Sequence, residues 1–167
     1  MRRYKILGFK RRRLNLTDYE KRLKLLKSRK TRVTIRRSNK YLQVQFTNFD
    51  PKGDKVLLTT SSKALKKLGW NHSCKNIPAA YLTGLYASKL AKEKKIQECV
   101  LDTGLYSIVN GSVLFAALNG IVDGGLKVPH SKEIFPEEKR LKGEHTKTKD
   151  QIKKDFEIII LKVKGEK

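Results

Sequence analysis

Positive charge is segregated along this chain, and that segregation limits what the chain can fold into. Residues 1–40 contain 17 Lys and Arg but only two acids, whereas residues 96–126 contain no Lys or Arg. The formal net charge is +23 over 167 residues. Self-repulsion of this size is relieved by a polyanionic partner. We therefore expect a basic arm attached to an apolar core, with nucleic acid as the class of partner.

The composition excludes several other classes of protein. Hydrophobic residues make up 38% of the chain, which is enough for one core that needs no metal or disulfide to fold. Two cysteines, Cys74 and Cys99, do not make a disulfide framework, and this usage is typical of the cytoplasm. No apolar run approaches the roughly 18 residues of a membrane-spanning helix, so we expect no membrane partner.

The basic arm has a composition that suits RNA. Arginines 11–13 follow Phe9, and arginine binds phosphates through paired hydrogen bonds while aromatic rings stack on unpaired bases. We expect residues 1–13 to lack stable structure without a partner. The alternatives are a solvated charged face and, less favoured, a membrane-surface helix, which would need a clean apolar face.

Hydrophobic periodicity predicts a short basic helix followed by three strands. Thr17 is the expected N-cap of the helix, and Tyr19, Leu23 and Leu26 form its apolar stripe. Alternating apolar and polar residues predict an antiparallel meander with one open face and a tight turn at Ser38-Asn39. Its strands are expected over residues 32–36, 41–46 and 56–60.

The rest of the chain predicts helices alternating with short strands. The order β-β-β-α-α-β-α-β indicates an α/β (α+β-like) fold, a mixed β-sheet with helices packed on it. The run 156–161 is expected to add a late strand or to dock on a neighbour. We expect a basic N-terminal arm and short helix (1–30), a mixed-sheet domain (31–129) and a charge-mixed C-terminal extension (130–167). The first two remaining elements are a helix from Ser61 or Ser62 to Leu68 and a helix capped by Asn76. The second of these has Pro78 in its first turn and Gly84 where another element can approach closely. A strand over 99–101, an apolar helix over 113–122 and a strand over 126–128 follow.

Catalytic and metal chemistry have little support in these residues. A metal-dependent nuclease is the alternative function, but such a site gathers several carboxylates around the metal, whereas the first predicted strand contains no acid and Asp102 has no evident partner. His72, Cys74 and Cys99 are poorly spaced for zinc and lack a fourth ligand. We therefore expect no catalytic residue, metal or cofactor. Trp70 and Tyr106 are read either as hydrophobic plugs or as base-stacking platforms.

A set of short motifs, in register over roughly residues 2–145, is shared with one protein family. The motifs are Tyr4-Lys5, the arginine-rich arm before Thr17-Asp18-Tyr19, Arg36–Lys40, Gly69-Trp70, Asn76–Gly84, Leu101–Leu105, Gly111-Ser112, Phe115–Leu118, Val122–Leu126, Pro129-His130, Phe135–Glu138 and Gly143–His145. In this order and spacing the chain resembles the archaeal type of large-subunit ribosomal protein eighteen, whose eukaryotic counterpart is numbered five.

The resemblance implies a fold, a role and a set of contacts. It implies a ribonuclease H-like sheet and a non-catalytic protein of the cytoplasmic ribosome that binds 5S rRNA. It also implies attachment of that RNA to large-subunit rRNA at the central protuberance, beside neighbouring large-subunit ribosomal proteins. The implied RNA contacts are Arg2, Arg3, Lys5, Lys10, Arg11, Arg12, Arg13, Arg22, Lys24, Arg36, Ser38, Asn39 and Lys40.

Two further points concern the borders of this contact set. The predicted hairpin and its open face add three more expected RNA contacts, which are Arg32, Arg37 and Tyr41. The loop over 103–112 is a contact region in the family, but this chain has Asn110 and Val113 where archaeal relatives typically carry Arg. The prediction is therefore not extended to that loop.

Overall fold

The structure is a computed structural model that describes residues 7–146 and 149–165. Two short helices, α1 (Lys10–Arg13) and α2 (Tyr19–Lys27), precede the sheet. The expectation of no structure over 1–13 is wrong for the four residues of α1, and residues 1–6 lie outside the described part.

Helix α2 begins one residue later than predicted and presents a different face to the domain. Asp18, not Thr17, is the N-cap, because its carboxylate accepts a hydrogen bond from the Lys21 amide at 2.9 Å. Tyr19 and Leu23 of the expected apolar stripe are 45% and 56% exposed. Lys21 is partly buried instead, and its ammonium donates to the Thr103 hydroxyl at 2.7 Å. The predicted apolar face is therefore wrong at Tyr19 and Leu23, whereas Leu26 is half-buried, and polar partners at the sheet edge help to hold α2.

The four strands form one mixed sheet in the order β3-β2-β1-β4. The pairs β1–β2 and β2–β3 are antiparallel, and β4 lies parallel to β1. This confirms the mixed sheet with helices packed on it. Val33 pairs with Phe46 and Ile35 with Val44, so the apolar side chains share one face and the polar ones the other. The strands are β1 (Thr31–Arg37), β2 (Leu42–Asn48), β3 (Lys55–Ser61) and β4 (Cys99–Asp102).

The strand predicted over 126–128 is reduced to one parallel bridge between Glu98 and Lys127. Lys127 donates to the Gln97 carbonyl at 2.9 Å and accepts from the Cys99 amide at 3.0 Å. The next ladder bond would need an amide hydrogen at Pro129, which proline lacks. The pairing ends there for that reason.

Two long helices cover the apolar face of the sheet. A 3₁₀-helix (Ser62–Leu68) leads to α3 (Ile77–Glu93), and β4 leads to α4 (Val113–Asp123). Asn76 caps α3 as predicted, accepting from the Ala79 amide at 3.0 Å. The two helices approach so closely that a Cβ on Gly84 would overlap the Ala117 carbonyl oxygen. The predicted role of Gly84 is thereby confirmed.

The C-terminal part contributes a second core. A 3₁₀-helix (Lys132–Ile134) and α5 (Glu138–Leu141) precede α6 (Lys149–Lys164). Ile152, Phe156, Ile159 and Val163 of α6 are buried against Leu65, Trp70 and Leu82. The late strand expected over 156–161 is wrong, because the buried residues recur at helical spacing. Within the described residues no helix combines the length and apolar character needed to cross a bilayer.

Candidate nucleic-acid interface

Hydrogen bonds between Ser38 and the backbone of Tyr41 close the turn of the β1–β2 hairpin. The Ser38 amide and hydroxyl both donate to the Tyr41 carbonyl at 2.8 Å, and the Tyr41 amide donates to the Ser38 hydroxyl at 3.0 Å. Ser38 is thus occupied inside the turn, while Arg36, Arg37 and Lys40 remain exposed. The turn therefore holds three cations at one end of the sheet.

A groove joins this hairpin to the N-terminal helices and to the loop after β4. Its lining includes four cations and the 103–106 segment, together with the carboxylates of Asp18 and Asp102; the cations are Arg11, Lys21, Arg22 and Arg36. We call it the arm groove. The Arg11 Nε donates to the Thr17 hydroxyl at 2.6 Å, which holds that side chain beside α2. Cations from α1, α2 and β1 therefore line one concave surface.

Tyr106 and Trp70 differ in exposure. Tyr106 lines the arm groove, is 39% exposed and donates its hydroxyl to the Arg37 carbonyl at 3.3 Å. Trp70 is 0% exposed, and its indole donates to the Ser73 carbonyl at 3.0 Å. Trp70 is consequently a core plug, whereas Tyr106 presents ring surface to the groove.

The structure does not place Arg32 with the exposed contacts. Its side chain is 3% exposed, with Nη2 2.7 Å from an Asp54 oxygen and Nη1 3.1 Å from an Asp102 oxygen. Asp54 also binds Arg22, whose Nη2 lies 2.8 Å from the carboxylate. Arg32 is therefore a buried structural cation, and we remove it from the candidate RNA contacts.

These contacts set the charge state of Asp54. Partial burial raises its pKa, but the contacts with Arg32 and Arg22 lower it more, so that the pKa of Asp54 lies below its ordinary value. The carboxylate is thus ionised at neutral pH and neutralises part of the positive charge of Arg22. Arg22 contributes less to an external anion than an unpaired arginine would.

The other predicted contacts lie on exposed surface or outside the described part. Lys10, Arg12, Arg13 and Asn39 are exposed, and Tyr41 is half-buried under the turn. Lys24 is exposed but lies 2.8 Å from Glu20 in an i,i+4 ion pair. Arg2, Arg3 and Lys5 lie outside the described residues.

Basic residues that the sequence did not single out also adjoin the hairpin. Lys66 of the 3₁₀-helix and Lys75 of the following loop line a second pocket with Asn39, Lys40 and Tyr41. We call it the turn pocket. Lys66 and Lys75 lie more than twenty residues beyond the turn over 38–41, so no local pattern indicated them. Lys21 was missed because its spacing assigned it to an outer face of α2.

The residues considered for catalysis or metal binding are dispersed. Cys74 lies in the core around Trp70, Cys99 lies in the core under the sheet, and both thiols are free. Burial raises the pKa of Cys99 to about 12, so this thiol is protonated at neutral pH. Over residues 7–146 and 149–165, no three His, Cys, Asp or Glu side chains come together as a metal site. The two carboxylates nearest a nuclease arrangement, Asp54 and Asp102, are instead bound to Arg32.

An open mixed sheet with a basic groove along its edge defines a class of α/β protein whose surface chemistry suits RNA. The chain matches the family model described as ribosomal large subunit proteins 60S L5 and 50S L18, over residues 2–97 and 87–131. The chain belongs to this family of ribosomal large-subunit proteins, in its archaeal type.

Three archaeal relatives carry the name large ribosomal subunit protein uL18. The Korarchaeum cryptofilum protein is 52% identical over 143 residues, which are 86% of this chain and 73% of the relative. The Methanothrix thermoacetophila protein is 46% identical over 142 residues, or 85% of this chain and 83% of the relative. The Methanothermobacter thermautotrophicus protein is 44% identical over 143 residues, or 86% and 74%. These identities confirm the family resemblance found in the sequence.

Proposed function

We propose that this chain is a non-catalytic constituent of the large ribosomal subunit that binds 5S rRNA. In this role it helps attach the 5S rRNA to large-subunit rRNA at the central protuberance, in contact with neighbouring ribosomal proteins. Family membership supports the ribosomal assignment. The observation that carries the RNA-binding part is the convergence of Arg11, Arg36, Arg37 and Lys40 at one end of an open sheet.

The chemistry of this surface fits an RNA backbone with a few exposed bases. Arginine guanidinium groups bind phosphates or guanine edges in pairs of hydrogen bonds. The exposed Gln43 and Thr59 on the open face of the sheet and the ring of Tyr106 can contact bases. RNA binding of this kind requires no carboxylate and no metal, which agrees with the ion pairs that Asp54 and Asp102 form with Arg32.

The test is a binding titration of the purified chain against an archaeal 5S rRNA transcript and a control RNA hairpin. The variant Arg36→Gln/Arg37→Gln/Lys40→Gln removes three cations from the hairpin. The matched variant Lys89→Gln/Lys153→Gln/Lys154→Gln removes three exposed cations from α3 and α6. Since each phosphate contact contributes about 5–8-fold at about 0.1 M salt, the hairpin variant should bind 5S rRNA roughly 100- to 500-fold more weakly.

Three results would overturn the proposal. The first is equal affinity of the wild-type chain for 5S rRNA and the control hairpin. The second is an equal loss of affinity in the hairpin variant and the matched variant. The third is magnesium-dependent cleavage of the bound RNA, which would favour the nuclease alternative.

A further inference from the structure

The turn pocket is a second basic pocket beside the hairpin, and it shares no lining residue with the arm groove. Lys40, Lys66 and Lys75 supply three ammonium groups, while Asn39 and Ser73 supply an amide and a hydroxyl. Within the described residues no Asp or Glu lines it. Its chemistry therefore suits a multiply charged anion with several acceptor oxygens.

The elements that carry the three lysines are fixed to one another. Tyr41 of the hairpin packs on the core that contains Leu65, Trp70 and Cys74. The Leu42 amide donates to the Ser62 hydroxyl at 2.9 Å, which ties the 3₁₀-helix of Lys66 to β2. The distance between the hairpin and the Lys66 helix is thus set by buried contacts rather than by mobile side chains.

The loop that carries Lys75 is fixed as well. Its Ser73 carbonyl accepts from the buried Trp70 indole at 3.0 Å, and the Lys75 amide donates to the Ser73 hydroxyl at 3.5 Å. His72 Nε2 lies 2.9 Å from an Asp155 oxygen, which anchors the loop to α6 and pairs that carboxylate with the imidazole. The backbone segments that carry the three lysines therefore lose little conformational entropy when the pocket binds an anion.

We propose that the turn pocket binds two neighbouring backbone phosphates, together a multiply charged anion, of the RNA that occupies the hairpin. This inference rests on the proposed function and extends the interface from the sheet edge onto the 3₁₀-helix and the loop over 72–75. Lysine acts on phosphate as a point charge without a fixed geometry. The pocket therefore positions the RNA and adds affinity without reading its sequence.

The variant Lys66→Gln/Lys75→Gln tests this assignment while leaving Arg36, Arg37 and Lys40 intact. Loss of two phosphate contacts should make the slope of log affinity against log salt less steep by about 1.4–1.8. At about 0.1 M salt the affinity for the 5S rRNA transcript should fall roughly 20-fold or more. The preference for 5S rRNA over the control hairpin should stay unchanged, since phosphates occur in both RNAs.

Two further variants and a melting curve complete the experiment. Lys89→Gln/Lys153→Gln, which removes the same charge outside both pockets, should keep the wild-type slope. Lys66→Arg/Lys75→Arg should also keep it, because the charge remains. Thermal unfolding should be the same for all four proteins, since these four lysines are exposed.

The outcomes separate this inference from the proposed function. An unchanged slope in Lys66→Gln/Lys75→Gln, with hairpin-dependent binding of 5S rRNA intact, overturns the turn pocket alone. An equal change in Lys89→Gln/Lys153→Gln also overturns it, because the effect would then be one of net charge. If the wild-type chain shows no preference for 5S rRNA, the proposed function fails instead.

Discussion

At Arg32, a side chain that alternation assigns to the open face of the sheet is 3% exposed and contacts two carboxylates. Strand periodicity gives the face on which a residue lies, but it does not show what covers that face. Here α2 and the segment before β3 bring Arg22 and Asp54 over Arg32. The sequence therefore predicted the face of Arg32 but not its burial.

Asp54 should stabilise the domain by neutralising this buried arginine. Removing one partner of a fully buried ion pair costs about 3–5 kcal/mol. Asp54→Asn should cost less, about 2 kcal/mol, because Asp54 is 26% exposed and Asp102 still binds Arg32. Urea unfolding without RNA measures this loss. Asp50→Asn, in the turn before β3, is the control and should change stability by less than about 0.5 kcal/mol.

The stability difference between the wild-type protein and Asp54→Asn should depend on pH. Because the folded-state pKa of Asp54 is lowered, its stabilisation is present above the unfolded-state pKa of about 3.9 and is lost as the pH falls through the folded-state value. The stability difference between wild type and Asp54→Asn should thus be constant near neutral pH and shrink below about pH 4. A difference that widens on acidification would show that the Arg contacts do not stabilise the carboxylate.

Arg36 tests whether the hairpin recognises its RNA through the guanidinium or through charge alone. Arg36→Lys keeps the charge but loses the paired hydrogen bonds. We expect a loss of about 1–2 kcal/mol for 5S rRNA, the worth of one bidentate pair, and little change for the control hairpin. Paired titrations at one salt concentration measure both. Unchanged binding of 5S rRNA, or equal losses on the two RNAs, would make Arg36 a non-specific cation.

Among the elements, the contact between α3 and α4 was predicted from the sequence on one helix only. Gly84 was identified from the sequence as a point of close approach, but its counterpart Gly120 was not, since nothing local specifies which helix α3 will meet. A Cβ at Gly120 would overlap the Tyr81 carbonyl oxygen. The two glycines therefore form the contact together.

Gly84→Ala should destabilise the protein even though alanine favours helix. Propensity alone would stabilise a helix interior by about 1 kcal/mol. The overlap with the Ala117 carbonyl should reverse the sign and cost about 2 kcal/mol net, because the backbones of α3 and α4 must move apart. Urea unfolding measures this, with Lys89→Ala on the exposed face of α3 as the control. A stabilised Gly84→Ala protein would mean that the helices separate without cost.

The elements that sequence reasoning misassigned share one physical cause. The run over 156–161 is apolar apart from Glu157, so its pattern does not distinguish a strand from a helix, and packing against α3 selects the helix. The inner face of α2 was mispredicted because the partners of Lys21, Thr103 and Gly104, come from the loop after β4, over eighty residues away. The Asn76 cap and the Ser38 turn were predicted without knowledge of tertiary partners, because each depends on a strong local sequence signal.

At the scale of the whole molecule, the candidate site was predictable where charge is contiguous in sequence. The arm and hairpin cations were identified because they lie within residues 1–41. The turn pocket was not, because folding alone brings Lys66 and Lys75 beside Lys40. The loop over 103–112 had been left out of the contact set, yet its residues 103–106 line the arm groove.

The spread of cations over the arm groove, hairpin and turn pocket determines how binding should respond to salt. Each phosphate neutralised releases counterions, so the slope of log affinity against log salt reports the number of contacts. If roughly eight phosphates are neutralised, the slope should lie near about −6 to −7, between the single-strand and duplex coefficients. Titrations of the wild-type chain with 5S rRNA at several salt concentrations measure it. A slope shallower than about −2 would mean that few of these cations reach phosphate, and that other contacts dominate binding.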